Sequence, residues 1–307
     1  MTQQKTCIAL ITKPDSSEVA VSVAELLDYC IAKNIILATL PKTPGIELKN
    51  SKQSKYVHIC RSIKEAVSKA SVVVTLGGDG TLLSVVRFIS TTVPLIGIHY
   101  GTLGFLTEHM PSELISVLED TLNETASLVS RPLLEGRITN DKKQKSVAWS
   151  CLAANDIVIQ KGGRQKLLEF LVEGSIHKGC FRELYTLRAD GIIIATPTGS
   201  TAYSLAAGGS VVHPKVGGNL ITPLNPHSLT MRPLIVPQEM IIRVRLLTKN
   251  EDVVLSIDGQ EQVNLEFGSV LEICRSNRTI TLVDSKERSY FDVLTRKLHW
   301  GKGIVVA

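Results

Sequence analysis

Two rhythms of apolar residues divide this chain of 307 residues. Up to about residue 130, unbroken apolar runs alternate with stretches whose apolar positions recur at helical spacing. The runs at 7–12, 35–40, 71–76 and 94–99 read as strands, and 19–33, 62–69, 82–90 and 111–128 read as helices. In 19–33 the apolar stripe is Val23, Leu26, Leu27, Cys30 and Ile31, and Ser62 stands as the cap of the second helix. Continuous apolar strands between helices predict an α/β domain with a parallel sheet covered on both faces. From Arg131 onward, short β-branched runs recur at 154–159, 167–176, 191–195, 240–247, 253–257, 270–274 and 279–283. Turn signals at Lys161-Gly162-Gly163, Lys249-Asn250-Glu251-Asp252 and Ser276-Asn277 separate them. This pattern predicts an all-β, sandwich-like domain of antiparallel strands. The expected whole is a two-domain α+β chain, with an α/β domain over 1–130 and a β-rich domain over 131–284.

Composition narrows the classes. Hydrophobic residues make up 44% of the chain and charged residues 21%, which suits a globular protein with a sizeable core. The net charge of +5 fits an anionic small ligand, and nothing resembles the basic stripe or aromatic-basic interleaving of a nucleic-acid binder. The densest charge cluster, Asp141-Lys142-Lys143-Gln144-Lys145, reads as a solvated hairpin tip. Six cysteines are scattered without a CxxC pair, as expected of free thiols in a reducing compartment. No stretch approaches a membrane span and no long apolar signal region opens the sequence, so the expectation is a cytoplasmic protein without a membrane partner.

The chemistry concentrates at two strand ends. Ser71-Val72-Val73-Val74-Thr75-Leu76 runs into Gly77-Gly78-Asp79-Gly80-Thr81. Glycines let a backbone approach a phosphate closely, and the N–H groups of a following helix favour an anion. Ligands of parallel sheets sit beyond the carboxyl ends of the strands, where Asp79 falls. The strand Ile192-Ile193-Ile194-Ala195 likewise empties into Thr196-Pro197-Thr198-Gly199-Ser200-Thr201-Ala202-Tyr203. Here Pro197 and Gly199 force a tight turn, hydroxyls and N–H groups are at hand, and Tyr203 can stack on a base. A helix from Ser204 would give a second anion-binding start.

Asn155-Asp156 sits in an apolar run, so at least one of the two side chains is expected to face inward and need a partner. Asp258-Gly259-Gln260 reads as a hairpin turn. The seven histidines lack paired-ligand spacing, and neither GxxxxGK[ST] nor GxSxG is present, which excludes a P-loop and a hydrolase elbow.

In order along the chain, these motifs resemble the NAD kinase family, which phosphorylates the adenosine-ribose 2′-hydroxyl of NAD. The resemblance runs through Gly77 to Leu83, Gly97 to Leu106, Asn155-Asp156, Arg188 to Gly191, Thr196 to Gly209, Pro226 to Pro233 and Asp258-Gly259-Gln260. The first motif alone also occurs in diacylglycerol and sphingosine lipid kinases and in phosphofructokinases; the combination with Thr196 to Tyr203 is specific. Asp156 stands where glutamate is usual in the family, His99 where asparagine is frequent, and Ser210 where proline is frequent.

The resemblance implies roles. Asp79 would accept the hydroxyl proton, acting mainly by orienting the hydroxyl in a loose transition state. Gly77, Gly78, Gly80 and Thr81 would hold phosphates. Asp79, Gly80, Asn155, Asp156, Lys166, Arg188, Asp190, Asn225 and Gln260 would bind NAD, together with Thr201, Ala202, Tyr203, Ser204, Leu205 and Ala206. No side-chain metal ligand is indicated; a divalent metal, Mg²⁺, would come with ATP or with polyphosphate as donor. The resemblance also implies that 285–307 returns to the first domain. It implies a homodimer or homotetramer, with NAD between domains and partly against a neighbouring subunit. A lipid kinase would need an interfacial amphipathic helix, for which no basic-apolar segment offers itself. A non-catalytic NAD(H)-binding regulator would not need Asp79.

Overall fold

The computed structural model describes residues 6–13, 16–47, 53–140, 147–163, 166–177, 179–249 and 252–301. The expected hairpin tip at 141–145, Asn250-Glu251 of the expected turn and residues 302–307 of the expected tail lie outside them. The chain forms two compact units, Met1–Ser130 with Ile280–Ala307, and Arg131–Thr279.

The first unit is built from β1 (Cys7–Thr12), α1 (Ala20–Lys33), β2 (Ile36–Thr39), β3 (Val57–Ile59), α2 (Ile63–Val67), β4 (Val72–Gly77), α3 (Asp79–Val86), β5 (Pro94–His99) and α4 (Leu114–Leu122). Its strands run parallel in the order β3-β2-β1-β4-β5, and Thr281 and Leu282 add a further parallel neighbour to β5. Every residue of β4 is buried, which is why its sequence shows no polar alternation. The stripe of α1 packs Val23, Leu26, Leu27 and Cys30 against Ile8, Leu10, Val74 and Ile96, with Leu114 and Leu118 of α4 in the same cluster. Burying side chains of this size stabilises by about 1.5–3 kcal/mol each. Ser62 caps α2 as expected, its Oγ accepting the Glu65 N–H at 3.2 Å. The helix expected over 111–128 stops at Leu122. The Asn123 N–H closes on the Glu119 carbonyl at 2.9 Å and Glu124 takes a left-handed φ of 60°, so the chain turns into strand at Leu128. The short strand β3 has too little apolar signal to be read from the sequence.

The second unit holds β6 (Leu128–Asn140, from Arg131), β7 (Val147–Ala153), β8 (Asp156–Lys161), β9 (Leu168–Ser175), β10 (Arg182–Ala189), β11 (Gly191–Ala195), β12 (Gly218–Leu224), β13 (Leu234–Pro237), β14 (Ile241–Leu246), β15 (Val253–Ile257), β16 (Glu261–Asn264) and β17 (Ser269–Val283, up to Thr279). Antiparallel pairing gives one sheet in the order β10-β9-β14-β17, with the β6–β7 pair on β17. A second antiparallel sheet has the order β13-β12-β11-β8-β15-β16. One apolar core joins them, Phe170, Val172, Ile242 and Leu271 of the first sheet clustering with Ile157, Ile159, Ile192, Ile194 and Leu255 of the second. The α/β plus antiparallel β character is therefore as the apolar rhythms predict.

One expected turn is absent. Residues 270–274 and 279–283 belong to the single strand β17, which runs straight through Ser276-Asn277. The Ser276 Oγ accepts the Arg278 N–H at 3.1 Å, so the polar pair is satisfied locally without reversing the chain. No helix among the described residues is long and apolar enough to cross a membrane.

Candidate active site

Gly78, in extended conformation (φ −115°, ψ −171°), caps α3, and its carbonyl accepts the N–H groups of Thr81 and Leu82 at 2.9 and 3.3 Å. The helix thus begins at Asp79, earlier than the residue 82 expected from the apolar spacing. The three glycines differ in kind. Gly77 is buried, and a Cβ there would run into the Thr81 side chain. Gly78 has open space beside it and Gly80 is exposed, so these two are the positions where the backbone can meet a phosphate.

Asp79 is turned toward the segment that follows β5. Its Oδ1 accepts the Leu106 N–H at 3.1 Å, the Thr107 N–H at 3.0 Å and the Thr107 hydroxyl at 2.9 Å, while Oδ2 accepts the Phe105 N–H at 2.9 Å. A side chain at Gly104 would overlap both Asp79 Oδ1 and the Thr107 hydroxyl, which fixes glycine there. One carboxylate oxygen is saturated by protein donors, and the other keeps acceptor capacity. The ammonium of Lys297, on the helix Tyr290–Leu298, stands 3.9 Å from Oδ2 and 5.2 Å from the centre of the Phe105 ring. Nothing local in Leu298-His299-Trp300 or its surroundings marks Lys297 in the sequence. Across β4 and β5, Gly77 is paired with His99, whose imidazole burial holds below the usual histidine range.

In the second unit, Asp258, expected as a turn residue, does more. It adopts a left-handed φ of 50°, and its carboxylate accepts the N–H groups of Ala154, Asn155 and Asp156 at 2.8, 2.7 and 3.1 Å. That clamp fixes the start of β8. Asp156 is 4% exposed, and its carboxyl accepts the Tyr203 N–H. Burial, with the Asp258 charge in second place, pushes the Asp156 carboxyl up to about 7. Asn155, Asp156, Gln160, Ala202, Tyr203 and Asp258 line a cleft of about 380 Å³, and Tyr203 is 44% exposed.

The Thr196–Tyr203 turn is held mostly by its own hydroxyls. Thr196 Oγ accepts the Gly199 N–H at 3.0 Å and donates to the Ala154 carbonyl at 2.5 Å. Ser200 Oγ donates to the Pro197 carbonyl at 2.6 Å and accepts the Val212 N–H at 3.0 Å. Thr201 Oγ donates to Thr198, and fully buried Ser204 shares its hydroxyl with Thr222 at 2.8 Å. A Cβ on Gly199 would collide with the Asn155 backbone, so the turn and Asn155 are locked together. The helix after the turn is only Tyr203–Ala206, too short for the expected second anion-binding start. Leu205 is half-buried and Ala206 exposed on it.

Asp190 and Asn225 meet each other elsewhere: Asn225 Nδ2 donates to Asp190 at 3.1 Å, and Lys161 Nζ is 2.5 Å from the same carboxylate. These donors hold the Asp190 carboxyl below the usual range. Ala195 pairs with Asp156 while Gly191 pairs with Gln160, so this group and exposed Arg188 occupy the opposite end of the β8–β11 ladder, about 15 Å away. Lys166 and Gln260 are exposed, Gln260 on the hairpin that carries Asp258. The donor atoms of His58, Cys60 and Glu65 lie within 4.8 Å of one another, but the Glu65 carboxylate there accepts the N–H of Arg61, the residue before the helix cap, at 2.7 Å.

Known proteins resemble this chain throughout. Residues 8–126 match the family model of the ATP-NAD kinase N-terminal domain, and residues 154–285 that of the ATP-NAD kinase C-terminal domain. The NAD kinase of Trichlorobacter lovleyi is 39% identical over 87% of this chain and 92% of its own. The chain belongs to the NAD kinase family. The NAD kinase of an Azoarcus species is 34% identical over 95% of both chains. The crystal structure of yeast NADH kinase complexed with NADH superposes with a TM-score of 0.86 at 26% identity, covering 100% of this chain and 91% of that one. The NAD kinase from Archaeoglobus fulgidus, at 22% identity and a TM-score of 0.67, shares the fold.

Proposed function

We propose that the protein is an NAD kinase in activity as well as in family, transferring a phosphoryl group from ATP, or from polyphosphate, to the adenosine-ribose 2′-hydroxyl of NAD. The observation that carries this reading is Asp79: a carboxylate at a strand end with one oxygen fixed by three protein donors and the other open to a hydroxyl. Such an acid orients the nucleophile and takes its proton as the bond to phosphorus forms. The N–H groups at Gly78 and Gly80 receive phosphate oxygens. Tyr203 stacks on adenine, and Asn155 and Asp156 hold adenine and ribose groups whose loss would leave these side chains unpaired.

Among the described residues Asp79 belongs to no group of three or more His, Cys, Asp or Glu side chains that could hold a cation. Mg²⁺ is proposed to arrive on ATP, where it neutralises phosphate charge. Arg188, Asp190 and Asn225 stand apart from Asp156, which supports a homodimer or homotetramer in which a neighbouring copy supplies them to NAD. Six free cysteines support a cytoplasmic enzyme.

Purified protein with NAD, ATP and Mg²⁺ tests the reading, the product being identified by mass and by a dehydrogenase that requires NADP. Asp79→Asn should lower kcat by roughly 10²-fold or more. Phosphate on a lipid acceptor, or on no acceptor at all with Asp79 intact, would defeat it.

A further inference from the structure

The chain lacks the lysine of a P-loop, yet a lysine stands at the acid. Lys297 Nζ is 3.9 Å from Asp79 Oδ2, beyond hydrogen-bond distance, and Oδ2 is the less occupied carboxylate oxygen, accepting one protein N–H (Phe105) where Oδ1 accepts three donors. Three features hold it there. The Ser289–Asp292 capping box fixes the start of its helix, with Asp292 Oδ2 accepting the Ser289 N–H at 2.8 Å and Ser289 Oγ accepting the Asp292 N–H at 3.3 Å. Buried Val293 and Leu294 anchor the helix in the first unit. The Phe105 ring, whose own residue donates to Asp79, carries the ammonium on its face and touches Tyr290 at 6.4 Å between centroids. Acid, aromatic ring and ammonium are thus one assembly.

A salt bridge closed at contact distance would tie up both charges. At 3.9 Å the pair leaves Oδ2 free to take a hydroxyl while the ammonium remains within reach of whatever that hydroxyl attacks. We propose that Lys297 is the catalytic cation of this enzyme, binding the γ-phosphoryl oxygens of the donor. The proposal rests on the NAD kinase reading. In the transfer, the ribose 2′-oxygen forms a bond to the γ-phosphorus as the bond from that phosphorus to the β–γ bridging oxygen breaks. The bridging oxygen keeps the electron pair and leaves on ADP, and the hydroxyl proton goes to Asp79. If the hydroxyl sits on Oδ2, the phosphoryl oxygens bonded through it fall next to Nζ, where a positive charge in a partly dehydrated site stabilises them as they transfer. The long lysine stem lets the ammonium follow the phosphoryl group from donor to acceptor.

The test compares wild type with Lys297→Ala, Lys297→Arg and Arg296→Ala. Arg296 removes the same unit of charge from the neighbouring position of the same helix. At saturating NAD, Lys297→Ala should lower kcat/KM for ATP by roughly 10²-fold, the scale of losing one positioned electrostatic stabiliser. Its NAD dissociation constant and melting temperature should stay at wild-type values. Lys297→Arg keeps the positive charge beside Asp79 and should recover activity to within about tenfold of wild type, and Arg296→Ala should match wild type. Wild-type ATP kinetics in Lys297→Ala would overturn the proposal. So would a loss that Arg does not rescue, or one accompanied by an equal loss of NAD affinity or of thermal stability. Failure of wild type itself to make NADP would instead sink the reading of the activity, which separates the two.

Discussion

The Asp258 N–H donates to the Asp156 carbonyl at 3.0 Å while an Asp258 carboxylate oxygen accepts the Asp156 N–H at 3.1 Å. The first residue of β8 and a turn residue about a hundred positions later therefore hold each other, and one of the two acids is nearly dry.

That dryness predicts a pH dependence. The buried Asp156 carboxyl titrates at about 7 in the folded chain, against an ordinary value of 3.8. The folded state binds the proton more tightly than the unfolded state, so the contribution is complete below pH 4 and is lost as pH rises through about 7. Asp156→Asn keeps an acceptor for the Tyr203 N–H and cannot ionise. Its melting temperature relative to wild type should rise between pH 5 and pH 8. Parallel melting curves for the two proteins across that range would show that Asp156 does not titrate there.

Asp258→Ala strips the acceptor from three N–H groups at the start of β8. The expected cost is about 2–3 kcal/mol in urea unfolding, since one charged acceptor serves all three. NAD affinity should fall as well, because Asn155 and Asp156 lose their anchor. Unchanged affinity in a destabilised variant would confine Asp258 to the fold.

Gly104 and Gly78 should separate in experiment. Gly104→Ala drives a methyl into Asp79 and Thr107, so about 1–3 kcal/mol of stability and at least roughly tenfold in kcat should go together. Gly78→Ala has room for its methyl and an ordinary φ of −115°. It should fold normally and lose activity only if the backbone there meets a phosphate, seen as a raised KM for ATP. A Gly78→Ala enzyme with wild-type KM would move the phosphate contact to Gly80.

Tyr203→Ala should weaken NAD binding by about 1–2 kcal/mol with a smaller effect on kcat, read by equilibrium titration. A change confined to the KM of the donor would assign the ring to the other substrate.

The strands and helices that bury an unbroken run or a clean stripe were legible, β4 and α1 above all, because burial alone sets their composition. The positions of Asp79 and Tyr203 just past the strands were legible because glycines or hydroxyls after a buried apolar run mark where the strand stops. Asp258 was not, since a left-handed Asp before glycine looks the same whether its carboxylate faces water or three N–H groups. The internal partners of the Ser200 and Ser204 hydroxyls were not legible, because a polar residue in a turn looks the same whether it serves the turn or a ligand. The unbroken strand at Ser276-Asn277 and Lys297 beside Asp79 depend on pairings distant in sequence, which local periodicity does not carry.

The chain leaves its first unit at Ser130 and re-enters it at Ile280. During synthesis the ribosome therefore releases β1 to β5 and the Asp79 loop long before the residues that complete that sheet and bring in Lys297. A nascent chain can order the acid early but cannot assemble the acid with its cation until residues 280–301 have emerged. Premature termination anywhere in the second unit would yield a first unit with an exposed β5 edge and no ammonium, a species bound for aggregation or proteolysis and not for phosphoryl transfer.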